Sequence, residues 1–156
     1  MEIRKQILGH KETRFIAAGT VVAKKAFLFE NPPELWTAGE RPRFEILTRV
    51  SLAVTASYKD KLSGTIDFWS TCGQLDREDW QDGKPKGCLI STGVVFEPGD
   101  EVIVAIQDHK YLPDGSPALR LRGGRRGASF TNTANDMEKV AAKAIHDFVE
   151  NTFERF

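Results

Sequence analysis

The stretch Arg43–Tyr58, RFEILTRVSLAVTASY, decides the fold of this chain. Apolar side chains occupy most of its even positions, and polar or small side chains occupy most of its odd positions. This period of two, held without glycine or proline, predicts a strand with one buried face and one mostly polar face. At about 3.3 Å per residue it would span roughly 50 Å, so we expect a twisted strand. Its predicted partners are Thr13–Phe29 on one side and Leu62–Cys72 on the other.

Further alternating stretches predict the rest of the sheet. Thr13–Phe29 is rich in Val, Ile and Phe, with a bulge or bend expected near Gly19. Leu62–Cys72 follows a tight polar connection and is expected to form a hairpin with Arg43–Tyr58. Later strands are expected at Cys88–Phe96, Glu101–Gln107, Ala118–Arg122 and Ala128–Thr133, the last two as a hairpin. Consecutive strands joined by short turns predict a meander of about six to seven strands.

The apolar period changes near the C-terminus. From Met137 to Phe156, apolar residues recur at spacings of three and four, with charged residues between them. Thr133 or Asn135 can cap this segment, and the pattern predicts an amphipathic helix of about five turns. We expect the helix to pack across one face of the sheet. The predicted fold class is therefore α+β, a curved antiparallel β-sheet with a C-terminal amphipathic helix, in a single globular domain over residues 1–156.

Composition is that of an ordinary soluble globular protein. The chain has 156 residues, of which 40% are hydrophobic and 28% charged, enough for one domain with its own core. Its 22 Lys and Arg balance its 22 Asp and Glu, so no net charge attracts it to nucleic acid or an anionic membrane. No run is long enough for a membrane span or a signal peptide. A cytoplasmic location is expected, and export is the alternative if a leader has been removed.

The glycine–arginine segment, Arg120–Gly127 (RLRGGRRG), is the first candidate binding site. Its four cations are Arg120, Arg122, Arg125 and Arg126. Guanidinium groups beside glycines, whose backbone N–H groups a ligand can approach, suit phosphates or carboxylates on an anionic surface. The simpler interpretation is a solvated hairpin tip. Duplex nucleic acid is disfavoured as a ligand because the domain as a whole is not basic.

The acidic loop Gln74–Lys84 and one proline-rich loop supply the other candidate binding residues. Within the acidic loop these are Asp79, Trp80 and Asp82. A tryptophan among acids often anchors a protein interface, although a solvated loop with Trp80 folded back onto the sheet is the favoured interpretation. The carboxylates lack the ligand order of an EF-hand, so no metal is predicted. Trp36 lies in the loop Glu30–Pro42, where it is expected to cover one end of the core or to present a binding surface.

Catalytic chemistry has little support in the sequence. His109 follows Asp108 in an expected turn, and Cys72 lacks any local nucleophile signature. Cys72 and Cys88 lie at strand ends, where a disulfide is conceivable, but reduced and partly buried cysteines are the stronger expectation. No motif for a nucleotide, dinucleotide or zinc ion occurs, so no cofactor is predicted.

These patterns favour a non-catalytic protein–protein binding or accessory module. Its two charged loops would be the contact patches for a protein partner. The alternative is a carrier for a small hydrophobic ligand, held in a cavity between the sheet and the C-terminal helix. A hydrolytic enzyme is a distant third, and the pattern does not determine the oligomeric state.

Overall fold

The computed structural model describes residues 8–71, 73–79, 87–88, 96–121, 129–131 and 146–156. Within these ranges the chain forms strands β1 (Phe15–Glu30), β2 (Phe44–Tyr58), β3 (Thr65–Thr71), β4 (Gly73–Gln74), β5 (Gly87–Cys88), β6 (Glu101–Tyr111), β7 (Pro117–Leu121) and β8 (Ser129–Thr131). Six of these strands form one sheet, and β4 pairs with β5 in a second, two-stranded sheet. The prediction of a mostly antiparallel sheet is confirmed.

Strands β1, β2 and β3 form the antiparallel meander that the alternating stretches predict. β2 pairs with β1 along nearly its whole length, and residues 47–53 also pair with β3. The register shifts between Ala18 and Gly19, where the bulge is expected. A Cβ atom on Gly19 would lie 2.2 Å from the carbonyl oxygen of Ala53, so this close approach of two strands requires glycine.

After β3 the strand order departs from a meander. β6 pairs with β1, which gives the spatial order β6-β1-β2-β3 of a Greek key. β7 then lies between β6 and β3, antiparallel to β6 and parallel to β3, with Arg120 opposite Trp69. The five strands β1, β2, β3, β7 and β6 therefore close into a ring, a barrel with Greek-key connections.

Strands β7 and β8 do not pair with each other, so the predicted last hairpin is wrong. Ile106 of β6 pairs with Phe15 of β1 on one edge and with Leu121 of β7 on the other. β8 also pairs with β6, with Ser129 opposite Val104. Val104 pairs with Ala17 of β1 on its other edge, so β8 lies on the same edge of β6 as β7. β7 and β8 thus lie one after the other along the same edge of β6. The residues between them, 122–128, lie outside the described ranges.

The interior of the ring is filled with apolar side chains. Those with no solvent exposure include Val50, Leu52, Phe68, Val104 and Ile106. Phe96 packs edge-to-face on Phe68, with their ring centroids 5.5 Å apart. Burial of this kind is the main source of stability in a domain of this size.

A C-terminal helix packs against one end of the barrel. Residues 146–152 are helical, and Val149 is fully buried within the core cluster. The Tyr58 hydroxyl group, at the end of β2, donates a hydrogen bond to the Glu150 carboxylate. The earlier part of the predicted helix, residues 132–145, lies outside the described ranges.

Two local structures differ from the sequence predictions. The expected loop Glu30–Pro42 contains a five-residue helix, Pro33–Thr37, because proline suits the first helical position, where no N–H bond is needed. β6 continues to Tyr111, so His109 belongs to a strand and not to the turn that was expected there. The turn follows at 112–116, where Gly115 has a φ of 87°.

Candidate functional site

The odd-numbered side chains of β2 define the candidate site. Val50 and Leu52 are fully buried in the core cluster, whereas Arg49, which directly precedes Val50 on β2, is only partly buried. Leu47 is buried but does not belong to the core cluster, so it is covered on the other side of the sheet. Residues paired directly across strands share a face. The partners of this odd row on β1 and β3 therefore belong to the same outer surface.

One row of this surface crosses four strands. Lys25 of β1 pairs with Arg49 of β2, Arg49 pairs with Trp69 of β3, and Trp69 pairs with Arg120 of β7. Adjacent strands lie about 4.8 Å apart, so three cations and one indole ring form a continuous band. The band draws one residue from each of four segments that are distant in the sequence.

Three aromatic rings pack together beside this band. Their centroids are 5.5 Å apart for Phe27 and Trp69, 5.7 Å for Phe29 and Trp69, and 6.4 Å for Phe27 and Phe29. Lys25 Nζ lies 5.5 Å and Arg49 Cζ 5.1 Å from the Phe27 centroid. Both distances suit cation–π contacts. Among the described residues, no carboxylate forms an ion pair with either cation. We call this surface the cation–aromatic face: Lys25, Phe27, Phe29, Arg49, Trp69 and Arg120.

Within this face, Arg120 interacts with the Glu45 carboxylate. Its Nη2 atom donates to Thr71 Oγ1 at 3.4 Å, which turns the guanidinium group across β3. Burial lowers the pKa of Arg120, while the Glu45 carboxylate raises it and the Arg41 cation lowers it. Glu45 in turn lies 3.5 Å from Arg41 Nη1, measured at its Oε1 atom. The guanidinium of Arg120 is thus held partly desolvated, with its charge directed toward the start of β2.

The loop that precedes β2 is fixed in place at the edge of the face. Asn31 is buried, its N–H donates to the Arg43 carbonyl oxygen at 2.8 Å, and its Nδ2 donates to the Pro42 carbonyl oxygen at 2.7 Å. Arg43 Cζ lies 5.0 Å from the Trp36 ring centroid and 5.1 Å from that of Phe44. The loop therefore adds a second cation–aromatic stack next to the first.

The predicted site residues fall into two groups. Arg120 belongs to the cation–aromatic face, and Trp36 stacks on Arg43 at its edge. Asp79 ends the short 3-10 helix Arg77–Asp79. The others, Arg122, Arg125, Arg126, Trp80 and Asp82, lie outside the described residues, so their roles stay predictions. Cys72 also lies outside them, and the Cys72–Cys88 disulfide stays a prediction too.

The sequence predicts the aromatic residues of the face as core or as the lining of a cavity beneath the helix, and not as a surface site. Phe27, Phe29 and Trp69 follow strand spacing, and such residues are usually core. The signal that could have found them is the odd row of the stretch Arg43–Tyr58, where Arg43 and Arg49 alternate with the apolar row. An aromatic residue paired with a cation on that row belongs to the surface, which distinguishes Trp69 from its buried neighbour Phe68.

The chain matches no protein-family model, no curated protein and no solved structure. Within the described ranges, no three His, Cys, Asp or Glu side chains are grouped so that they could hold a metal ion. In the same part of the chain, no helix has the length and apolar character needed to cross a membrane. The case for a function therefore depends on the face itself.

Proposed function

We propose that this protein is a non-catalytic binding module whose cation–aromatic face binds single-stranded nucleic acid. The observation that carries the proposal is the band Lys25–Arg49–Trp69–Arg120, flanked by two phenylalanine rings. Proteins that bind single strands combine cations that follow the phosphates with aromatic rings on which bases stack. Both components are present here on one side of the sheet, and within the described part of the chain no carboxylate forms an ion pair with Lys25 or Arg49, the cations beside Phe27.

The shape of the face favours a single strand over a duplex. Arg43 lies directly before β2 and Arg49 lies within it, six positions further on, so the two span at most about 20 Å, which is room for a short run of nucleotides. Phe27, Phe29 and Trp69 are partly buried, and their accessible ring surface can stack only with bases that are not already paired and stacked. Five-stranded Greek-key barrels of the OB type bind oligonucleotides or oligosaccharides on their second and third strands. That likeness is one of fold alone, so the argument depends on the residues of the face.

Fluorescence anisotropy tests this proposal with labelled DNA and RNA single strands of about 12 nucleotides and a duplex of the same sequence. We expect the single strands to bind more tightly than the duplex. Trp69→Ala should weaken binding roughly 5- to 150-fold, the effect of losing one stacked base. Arg49→Ala should also weaken binding and reduce the slope of log K against log salt by about 0.7.

Lys61→Ala is the matched control, because Lys61 is an exposed cation in the β2–β3 connection, at the opposite end of β2 from Arg43. Its affinity and salt slope should stay at the wild-type values. The proposal is wrong if the single strands do not bind, or if Lys61→Ala weakens binding as much as Arg49→Ala does. Thermal unfolding of each variant should accompany the titrations, to show that the barrel is intact.

Two other interpretations of the sequence stay predictions and have separate tests. A protein partner held by the charged loops predicts that charge reversal at Arg125 and Arg126 abolishes its binding and leaves thermal unfolding unchanged. A carrier of a small hydrophobic ligand predicts added ligand mass in native mass spectrometry of the purified protein. Neither test involves the cation–aromatic face, so the three hypotheses can be distinguished.

A further inference from the structure

A carboxylate lies within the surface that we propose binds a polyanion. Glu45 is the first residue of the odd row of β2 and pairs across the sheet with Phe29. Its side chain is 22% exposed, and its Oε1 atom lies 3.5 Å from Arg41 Nη1. The group is therefore open to a ligand at the edge of the aromatic cluster, but it is not a freely solvated surface charge.

A carboxylate in this position restricts what a nucleic acid can place beside it. Phosphate oxygens are repelled, because both groups are anionic. Carbonyl oxygens of bases are also unfavourable neighbours, since an ionised carboxylate only accepts hydrogen bonds. The groups that suit it in DNA are the N–H donors of the bases. A base that stacks on Phe29 brings its hydrogen-bonding edge close to Glu45, which is the cross-strand partner of that ring.

We propose that Glu45 makes the cation–aromatic face selective for bases that carry an exocyclic amino group, and in particular for cytosine over uracil. This inference rests on the proposed function. Cytosine and uracil are pyrimidines of nearly the same size, so their stacking on an aromatic ring is similar. They differ at position 4, where cytosine has an amino donor that Glu accepts well and uracil has a carbonyl oxygen. When uracil presents position 4 to Glu45, two acceptors face each other in a partly desolvated site, and the base must shift to offer its N3–H group instead.

The experiment compares deoxycytidine and deoxyuridine homo-oligonucleotides of about 12 nucleotides in the anisotropy assay. Both strands have the same DNA backbone, so phosphate contacts and the 2′ position do not contribute to the difference. Near pH 8 cytosine is unprotonated and the oligonucleotides stay single-stranded. We expect the wild-type protein to bind the cytosine strand about tenfold more tightly, within the range of a single base-specific hydrogen-bonded contact.

The variant E45Q keeps the size of the side chain and adds a donor. Its amide can accept from cytosine or donate to uracil, so the affinity ratio of the two strands should fall toward one. Asp67→Asn is the matched control, because Asp67 lies on the same side of β3 as Trp69 but is hydrogen-bonded to Ser51 Oγ at 2.6 Å. The ratio for this control should stay at the wild-type value.

The outcomes separate this inference from the proposal on which it rests. If the wild-type protein binds neither strand, the proposed function is overturned and the selectivity with it. If both strands bind with equal affinity, only the role of Glu45 is overturned. If E45Q increases the affinity for both oligonucleotides by the same factor, Glu45 acts only by neutralising Arg41 and Arg120, and the inference is wrong. A tenfold preference that E45Q removes and Asp67→Asn retains supports it.

Discussion

Replacing Tyr58 by Phe should weaken the attachment of the C-terminal helix to the barrel. The Tyr58 side chain has no solvent exposure, and its hydroxyl group donates to the Glu150 carboxylate. That carboxylate also lies 3.5 Å from Arg155 Nη1 and 3.7 Å from His146 Nε2. A hydrogen bond to a charged group contributes about 1.5–3 kcal/mol. We therefore expect Tyr58→Phe to lower the free energy of unfolding by about 2 kcal/mol near pH 8.

The same substitution should change how stability depends on pH. Burial, together with the hydrogen bond to Glu150 and the negative charge of that carboxylate, raises the pKa of Tyr58 from 10.0 to about 12. The folded state thus favours the protonated phenol. Its contribution to stability is complete below the unfolded pKa of 10.0 and is lost as the pH rises toward the folded pKa of about 12. A pKa difference of about 2 corresponds to about 2.7 kcal/mol, the upper limit of this loss.

Urea unfolding at several pH values between 8 and 11.5 measures both effects. Wild-type protein should lose stability more steeply above pH 10 than Tyr58→Phe, so the two free energies should converge as the pH rises. Tyr111→Phe is the control, because Tyr111 is 65% exposed and its removal should change neither the free energy nor its slope. Parallel curves for wild type and Tyr58→Phe would refute this account of Tyr58. An equal loss in Tyr111→Phe would show that the effect does not come from the buried hydroxyl group.

Two further substitutions test the close approach of β1 and β2 at Gly19 and the loop that precedes β2. Gly19→Ala should cost about 1–3 kcal/mol in urea unfolding, because the new Cβ meets the Ala53 carbonyl oxygen and the backbone must move. Gly9→Ala should be nearly neutral in the same measurement, since nothing lies within 4 Å of its Cβ position. Asn31→Ala should cost about 1 kcal/mol by removing the hydrogen bond to Pro42, and should weaken oligonucleotide binding in the anisotropy assay by loosening the loop. Unchanged binding by Asn31→Ala would show that the loop does not contribute to the site.

The local features of the fold could be predicted because they follow from short-range patterns. The alternation of Arg43–Tyr58 predicts β2, and the adjacent alternation of Leu62–Cys72 predicts its hairpin with β3. The expected bulge at Gly19 is also found, since glycine inside a strand marks a close approach of backbones. These predictions need only the period of the sequence and the residue types at its breaks.

The closure of the barrel could not be predicted in the same way. A turn signal shows where a strand ends, but it does not show which strand the next one joins. β6 pairs with β1 across about 80 residues of intervening chain, and the parallel contact of Trp69 with Arg120 depends on that crossover. The meander was the simplest continuation of β1–β3, and non-local pairing of β6 replaces it. The site was missed for the same reason, since its central band draws on β1, β2, β3 and β7.

The alternation of β2 ties the stability of the barrel to the position of the proposed site. Its even row supplies Val50 and Leu52 to the core, and its odd row supplies Arg49 to the cation–aromatic face. A slip of one residue would exchange the rows, placing the Arg49 guanidinium in the core and Val50 in water. Burying the unpaired Arg49 cation would be very unfavourable, so the slipped register is excluded. The register that buries Val50 therefore also places Arg49 opposite Trp69. Substitutions that preserve this alternation should therefore affect either stability or binding, depending on the row in which they fall.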